Sequence, residues 1–438
     1  MKTLGLDIGT TSVSAVVYDT QLGVLAAKTV KNDSFLPSQS WERIQDPNRI
    51  REIAEAAVKE LLALHPEVSA MGLTGQMHGI LYLDGAGDCV SPLYTWQDGR
   101  GDLPHPEGGT WASRLSEITG YPVATGYGMA THFYNVRHGL VPEGAAAFCT
   151  IHDYLAMKFS GNTAPKMDPT DAASLGLFDA RRGGFDREAL ERAGLDVGML
   201  PRLMDSPCLG TGPLGIPVYA AIGDNQASFL GASGGRTDVL LVNVGTGSQI
   251  SVYSPVHMHT DTLETRPFPD QGWLLVGASL CGGRSYAMLE SFFRQTVKMV
   301  TGADDSVYAA MTRALDEAGT VTDAPRAVTT FQGTRKDPGR KGGITEIGTD
   351  NFTPVHFMHS IMQGMARELY DMYAGYLEKG GVPPKTIIGS GNGLRKNRHL
   401  CRIFEAVFGC SLELSPNDEE AACGAAVYAA KHILAETR

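Results

Sequence analysis

A strand, a Gly-Thr turn and a second strand occur twice in this chain, and that duplication constrains its fold more than any other feature. In the first copy Leu4, Leu6 and Ile8 alternate with small or polar residues, the period-two pattern of a strand. Gly9-Thr10-Thr11 breaks the pattern, and a second strand runs from Ser12 to Tyr18. The second copy reads Leu240-Leu241-Val242-Asn243-Val244, then Gly245-Thr246-Gly247-Ser248-Gln249, then Ile250-Ser251-Val252-Tyr253. Such a turn aims backbone N–H groups and hydroxyls at one point, which suits a phosphate oxyanion. Its candidate phosphate contacts are Thr10, Thr11, Ser12, Gly245, Thr246 and Gly247. Asp7 stands just before the first turn, where a carboxylate can hold a hydrated Mg²⁺ that bridges phosphates. An ordinary hairpin would account for either copy alone. Two copies, one in each half, point to two similar domains serving one nucleotide. No Gly-x4-Gly-Lys-Ser/Thr is present, so a P-loop is not the competing explanation.

The chain has 438 residues, enough for two or three domains with a large core. Its net charge of −11 and the lack of a basic cluster leave nucleic-acid and anionic-membrane binding unsupported. No secretory leader is expected, because Asp7 interrupts the only apolar stretch at the start, and no run reaches the length of a membrane span. Seven cysteines without a Cys-x-x-Cys read as reduced and cytoplasmic. Cys401 and Cys410 could approach each other, but no disulfide is expected. His257/His259 and His356/His359 have pairable spacings without a third ligand, so neither is expected to bind metal.

Along the chain, residues 1–31 read as a three-stranded meander, and Pro47 opens a helix with Asp46 as its N-cap. The strand Val68–Leu73 delivers Gln76-Met77-His78-Gly79 at its end. The stretch Thr125–Thr131 is too rich in glycine for a regular element. Val218–Ile222 is a strand ending in Gly223-Asp224-Asn225-Gln226-Ala227, with a helix starting at Gln226. A long helix is expected from Pro354 to Lys379, and a strand Thr386–Ile388 ends in Gly389-Ser390-Gly391-Asn392-Gly393. The alternation of strands and helices predicts α/β architecture with mixed sheets. The boundary is placed near Gly231–Gly235, giving domains 1–233 and 234–438.

Phosphoryl transfer needs positioning, charge stabilisation and one base near the acceptor hydroxyl. Asp224, at a strand end before a helix, is the candidate base, although capping that helix would equally explain it. Gln76, His78, Asp98 and Arg100 are polar residues at strand ends whose donors and acceptors suit a polyhydroxylated ligand. Trp96 could stack on a sugar face, but core packing is the more economical reading. Asp153 could reach the same ligand or cap its own helix.

The duplicated turns resemble the phosphate loops of the sugar kinase, Hsp70 and actin superfamily, and Gly223-Asp224-Asn225-Gln226-Ala227 resembles the Gly-Asp-x-Gln-Ala of the FGGY carbohydrate kinases. That resemblance implies two ribonuclease-H-like domains with a central cleft, ATP and Mg²⁺ as requirements, and Asp224 as the base, with Asn225 beside it. Gln76-Met77-His78-Gly79 resembles the ketose branch of the family. Thr95-Trp96-Gln97-Asp98-Gly99-Arg100, Val123–Gly128 and Thr150–Tyr154 narrow the resemblance to its sedoheptulose-phosphorylating members, with the pentulose kinases as the alternative. The implied reaction is phosphorylation of a ketose at its terminal primary hydroxyl. Gly389, Ser390, Gly391 and Asn392 resemble the adenosine-binding turn, Phe331–Arg335 the loop beside the nucleotide, and Glu420–Ala426 a small-residue helix packed behind the adenosine turn. A homodimer is compatible with the family, though no motif specifies an interface. A nucleotide-driven protein of the Hsp70 or actin kind is the alternative from another class, but it would not need Gln76-Met77-His78 or Asp224.

Overall fold

In the computed structural model, residues 1–334 and 337–436 are described. They form two units, one made of Met1–Gly235, Arg266–Gln271 and the chain from Asn417 onward, the other of Arg236–Thr265 and Gly272–Pro416.

The first unit opens with β1 (Lys2–Ile8), β2 (Ser12–Asp19) and β3 (Gly23–Lys31), the expected antiparallel meander. Helix α1 (Pro47–Leu64) follows, with Pro47 in its first turn and the Asp46 carboxylate accepting from Asn48 N–H. Ile50, Ile53, Ala54, Ala57, Val58 and Leu61 form its buried face, the 3.6-residue stripe seen in the sequence. The chain then returns as β4 (Val68–Gly75), parallel to β1 with Asp7 opposite Thr74 and Ile8 opposite Gly75. Helix α2 (Gly128–Arg137) occupies a stretch expected to be irregular. Its glycine stands at the first turn, where it costs little, and Met129 and Phe133 bury the helix in an apolar cluster with Ile80, Tyr82 and Leu175. Helix α3 (Ile151–Ser160) follows, capped by Thr150.

The strand expected over Val218–Ile222 is divided into β5 (Val218–Tyr219) and β6 (Ile222–Gly223). Both pair in parallel with β4, Ile222 opposite Thr74 and Gly223 opposite Gly75. Helix α4 (Asp224–Ser233) begins directly at Asp224, two residues earlier than expected. The carboxyl ends of β1, β4 and β6 therefore lie side by side, the place where open α/β sheets present ligand-binding residues.

The second unit repeats this plan with β7 (Val239–Val244), β8 (Ser248–Ser254) and β9 (Trp273–Ser279) as an antiparallel meander. Helices α5 (Gly283–Thr301), α6 (Tyr308–Ala318) and α7 (Pro354–Glu378) come next. The strand β10 (Thr386–Ser390) is parallel to β7, with Asn243 opposite Ser390 as Asp7 is opposite Thr74. Helix α8 (Arg398–Phe408) and β11 (Ser411–Leu414), parallel to β10, complete the unit. Its core gathers β7, β8, the inner face of α7 and Phe404 of α8.

Helix α9 (Glu420–Glu436) follows the second unit in sequence but groups with the first, where it packs on β1, β4 and α4. Gly424 makes this approach possible: a Cβ there would lie 1.7 Å from the Ala227 carbonyl oxygen of α4. Ala422, Cys423, Ala425 and Ala426 are likewise small enough to be fully buried. No helix among the described residues is long and apolar enough to cross a membrane. All seven cysteines, Cys401 and Cys410 included, carry free thiols.

Candidate active site

Asp7 leaves the end of β1 and Asp224 the start of α4, and both carboxylates are only partly exposed. Burial raises the Asp7 carboxyl to about 7, and the negative charges of Asp224 and Glu419 push in the same direction. Glu419 reaches this neighbourhood from the residue before α9, where it accepts a 2.7 Å hydrogen bond from the Thr29 hydroxyl. Burial also raises Asp224, but the Arg266 guanidinium, a hydrogen bond from Asn225 and His152 counteract it. The Asn225 amide donates to Asp224 Oδ1 at 2.6 Å. Gly223 is the N-cap of α4 and Asp224 its first residue. A carboxylate in the first turn of a helix, its proton affinity raised by burial, is equipped to accept a proton.

His78 lies after β4 with φ of 74°, a left-handed conformation that costs a non-glycine residue about 1–2 kcal/mol. Its backbone N–H donates to Ser174 Oγ at 3.2 Å and its Nδ1 to the Ser174 carbonyl at 2.6 Å, which fixes the orientation of the ring. The Tyr127 ring stacks on it, with centroids 4.6 Å apart and planes 6° apart. The thioether of Met77 lies 3.8 Å from Asn225 Nδ2.

The first turn is held from outside. Asn32 Nδ2 donates to the Gly9 carbonyl and Gln45 Nε2 to the Thr10 carbonyl, each at 2.9 Å. In the second unit, the turn Gly245–Thr246 accepts the N–H groups of Gly283 and Arg284 at 2.9 and 3.1 Å, from the first turn of α5. Beside it opens a cavity of about 820 Å³, lined by Thr246, Arg284, Tyr286, Tyr308, Asn392 and Lys396 among others. That size accommodates a nucleotide.

Family models for the N-terminal and C-terminal domains of the FGGY carbohydrate kinases match residues 2–231 and 240–433. The chain belongs to the FGGY family of carbohydrate kinases. It is therefore an enzyme, a kinase of a carbohydrate, and kinases of this family use ATP. It is similar to the sedoheptulokinase of Mus musculus, 29% identical over 97% of this chain and 96% of that protein. A glycerol kinase of Alteromonas mediterranea is 25% identical over 97% of this chain and 89% of that one. The crystal structure of a xylulose kinase from Rhodospirillum rubrum shares the fold, with a TM-score of 0.82 at 22% identity, over 98% of this chain and 90% of that one.

In this FGGY kinase several of the expected sugar contacts are engaged by protein partners. Asp98 is fully buried and Arg100 1% exposed. They pair with each other, Arg100 Nε donating to Asp98 Oδ1 at 2.6 Å, while the guanidinium lies 4.1 Å from the centre of the Tyr94 ring. Both belong to the frame of the first unit. Asp153 is also buried: it accepts from the Thr150 hydroxyl at 2.6 Å and lies beside the close contact of His152 with Asp171, where burial lowers the His152 imidazole. Burial pushes the carboxyls of Asp153 and Asp171 well up; the Asp171 charge adds to the shift of Asp153, whereas a hydrogen bond from Asp153 works against that of Asp171. Gln76 is turned inward, donating to Gln45 Oε1 at 2.9 Å and accepting from Thr10 Oγ1 at 3.2 Å, so it braces the phosphate turn. Trp96 reverses the economical reading: its side chain is exposed, with Nε1 donating to Thr10 Oγ1 at 3.0 Å.

On the nucleotide side, Gly245, Thr246, Gly391 and Asn392 line the cavity. Gly389 and Ser390 stand behind it in β10, Ser390 Oγ accepting from Asn243 Nδ2 at 2.9 Å, and Gly247 packs on Ser279. Thr11 is exposed and Ser12 opens β2. Arg284, Tyr286, Tyr308 and Lys396 were not foreseen; only the Gly282-Gly283-Arg284 run before an amphipathic helix hinted at the first. Arg335 of the expected loop lies outside the described residues. His257 packs edge-on against Trp273 and His356 bonds to Thr353 Oγ1, contacts that serve packing and capping.

Proposed function

We propose that this FGGY kinase transfers the γ-phosphoryl group of ATP to the terminal primary hydroxyl of a ketose, sedoheptulose giving sedoheptulose 7-phosphate. The observation that carries this reading is the near full-length similarity to a sedoheptulokinase, over 97% of this chain, joined to Gln76-Met77-His78-Gly79. Asp224 accepts the hydroxyl proton, the sugar oxygen forms its bond to the γ-phosphorus, and the bond from phosphorus to the β–γ bridging oxygen breaks as ADP departs. Met77, His78, Trp96 and Asn225 are the side chains assigned to the sugar. Thr10, Thr11, Thr246 and the backbone of Gly245 are assigned to the phosphates.

The negative charges of Asp224 and Glu419 raise the cost of charge on Asp7, a field that a divalent cation would offset. Asp7 would hold Mg²⁺ through water, and the ion would neutralise charge developing on the phosphates. Water exclusion and a cytoplasmic location belong to the same reading.

A coupled assay for ADP release with sedoheptulose, xylulose, ribulose, fructose and glycerol tests the substrate. Highest kcat/KM on sedoheptulose is expected, and a preference of tenfold or more for xylulose would replace that assignment with a pentulose kinase. Hydrogen bonds to the additional hydroxyls of a heptulose could discriminate by about 10⁴ or more, whereas shape alone gives about 10–200-fold.

A further inference from the structure

The two residues that lead into Asp224 are gripped by side chains. Thr74 Oγ1 donates to the Ile222 carbonyl at 2.7 Å, and the Gly223 N–H donates to Thr170 Oγ1 at 3.0 Å. The Thr170 hydroxyl proton is committed elsewhere: it goes to Asp168 Oδ1 at 2.6 Å, and the same oxygen accepts the Thr170 backbone N–H at 2.8 Å. Thr74, Thr170 and Asp168 are no more than 1% exposed. The direction of the relay is therefore fixed, from Gly223 N–H to the Thr170 oxygen and from the Thr170 hydroxyl to the Asp168 carboxylate. A hydroxyl able to rotate could offer its proton instead of its lone pair; this one cannot. Gly223 has no slack of its own, since a Cβ there would lie 2.5 Å from Gln226 Oε1 and 2.8 Å from the Met77 methyl.

We propose that Thr170, locked by Asp168, is a positioning residue that sets where the Asp224 carboxylate meets the acceptor hydroxyl. The peptide between Gly223 and its predecessor cannot tilt without breaking the bond to Thr170, and Asp224 is the next residue. Displacement of a reacting group by about 1 Å costs on the order of 10²-fold in rate. The inference rests on Asp224 being the base.

The test compares Thr170→Val with Thr170→Ser. Valine keeps the volume and loses the lone pair; serine keeps the hydroxyl and loses a buried methyl. Expected for Thr170→Val is a fall in kcat of about 10–100-fold, with KM for ATP and sugar changed less than threefold. Expected for Thr170→Ser is kcat within about twofold of the parent, even though the lost methyl lowers its melting temperature. A packing role would make serine at least as damaging as valine; equal losses in the two variants, or full activity of Thr170→Val, overturn the proposal. Should Thr170→Val not fold, Thr170→Ala set against Thr170→Ser gives the same comparison. Asp224→Asn is measured in parallel: if it retains full activity, the base assignment has failed, whereas its loss together with an active Thr170→Val condemns the relay alone.

Discussion

Asp98→Ala separates a residue that supports the fold from one that touches the sugar. Asp98 accepts four hydrogen bonds: from the backbone N–H groups of Arg43 and Arg100 at 3.1 and 3.2 Å, and from Arg100 Nε and Nη2 at 2.6 and 3.2 Å. Truncation leaves the Arg100 guanidinium buried with the Asn135 carbonyl oxygen and the Tyr94, Trp41 and Tyr134 rings around it, and Glu42 Oε1 3.8 Å away. Breaking a buried pair in this way costs about 3–5 kcal/mol, because the remaining charge stays desolvated. At about 2–4 °C per kcal/mol, the melting temperature should fall by roughly 6–20 °C. Scanning calorimetry reads that fall, and initial-rate kinetics on the folded fraction should show sugar KM within about threefold of the parent. A melting temperature within 2 °C of the parent, together with a tenfold rise in sugar KM, would refute the reasoning and return Asp98 to the binding site.

Two further outcomes follow from the packing and charge of the first unit. Asp7 binds its proton more tightly folded than unfolded, with its carboxyl raised from 3.8 to about 7, so the native state loses stability as pH rises through that window. Without metal or nucleotide, Asp7→Asn should therefore gain melting temperature over the parent progressively from about pH 4 to pH 7 and level off above; a pH-independent difference would contradict the upward shift that burial gives Asp7. Gly424→Val should destabilise by more than the about 1–3 kcal/mol usual for overpacking, since its Cβ would lie 1.7 Å from Ala227 O, and an unchanged denaturant midpoint would contradict the α9–α4 contact.

Several features were legible in the chain because they depend on neighbours in sequence. The duplicated strand, turn and strand follows from local alternation and from Gly9-Thr10 and Gly245-Thr246, and the buried stripe of α1 follows from helical spacing. Gly223-Asp224 at the end of a strand was readable for the same reason. Other features depend on pairings across long stretches of chain, and no local pattern encodes them. Asp98 and Arg100 look like ligand contacts until Tyr94, Trp41 and Tyr134 close around them. Thr170 has no distinguishing motif; its meaning comes from the N–H of Gly223, 53 positions away.

The amino-acid order by itself determined the two-fold repetition of the architecture, the turns suited to phosphate, and the carboxylate that follows the strand end at Gly223, since each is set by backbone preference over a few consecutive residues. Tertiary structure alone decided which polar side chains are left for a ligand and which are consumed by the frame, and that α9 closes the first unit. The physical reason is that a polar group's role depends on who satisfies it: a buried donor or acceptor takes its partner wherever the fold brings one within about 3 Å, whatever the distance along the chain.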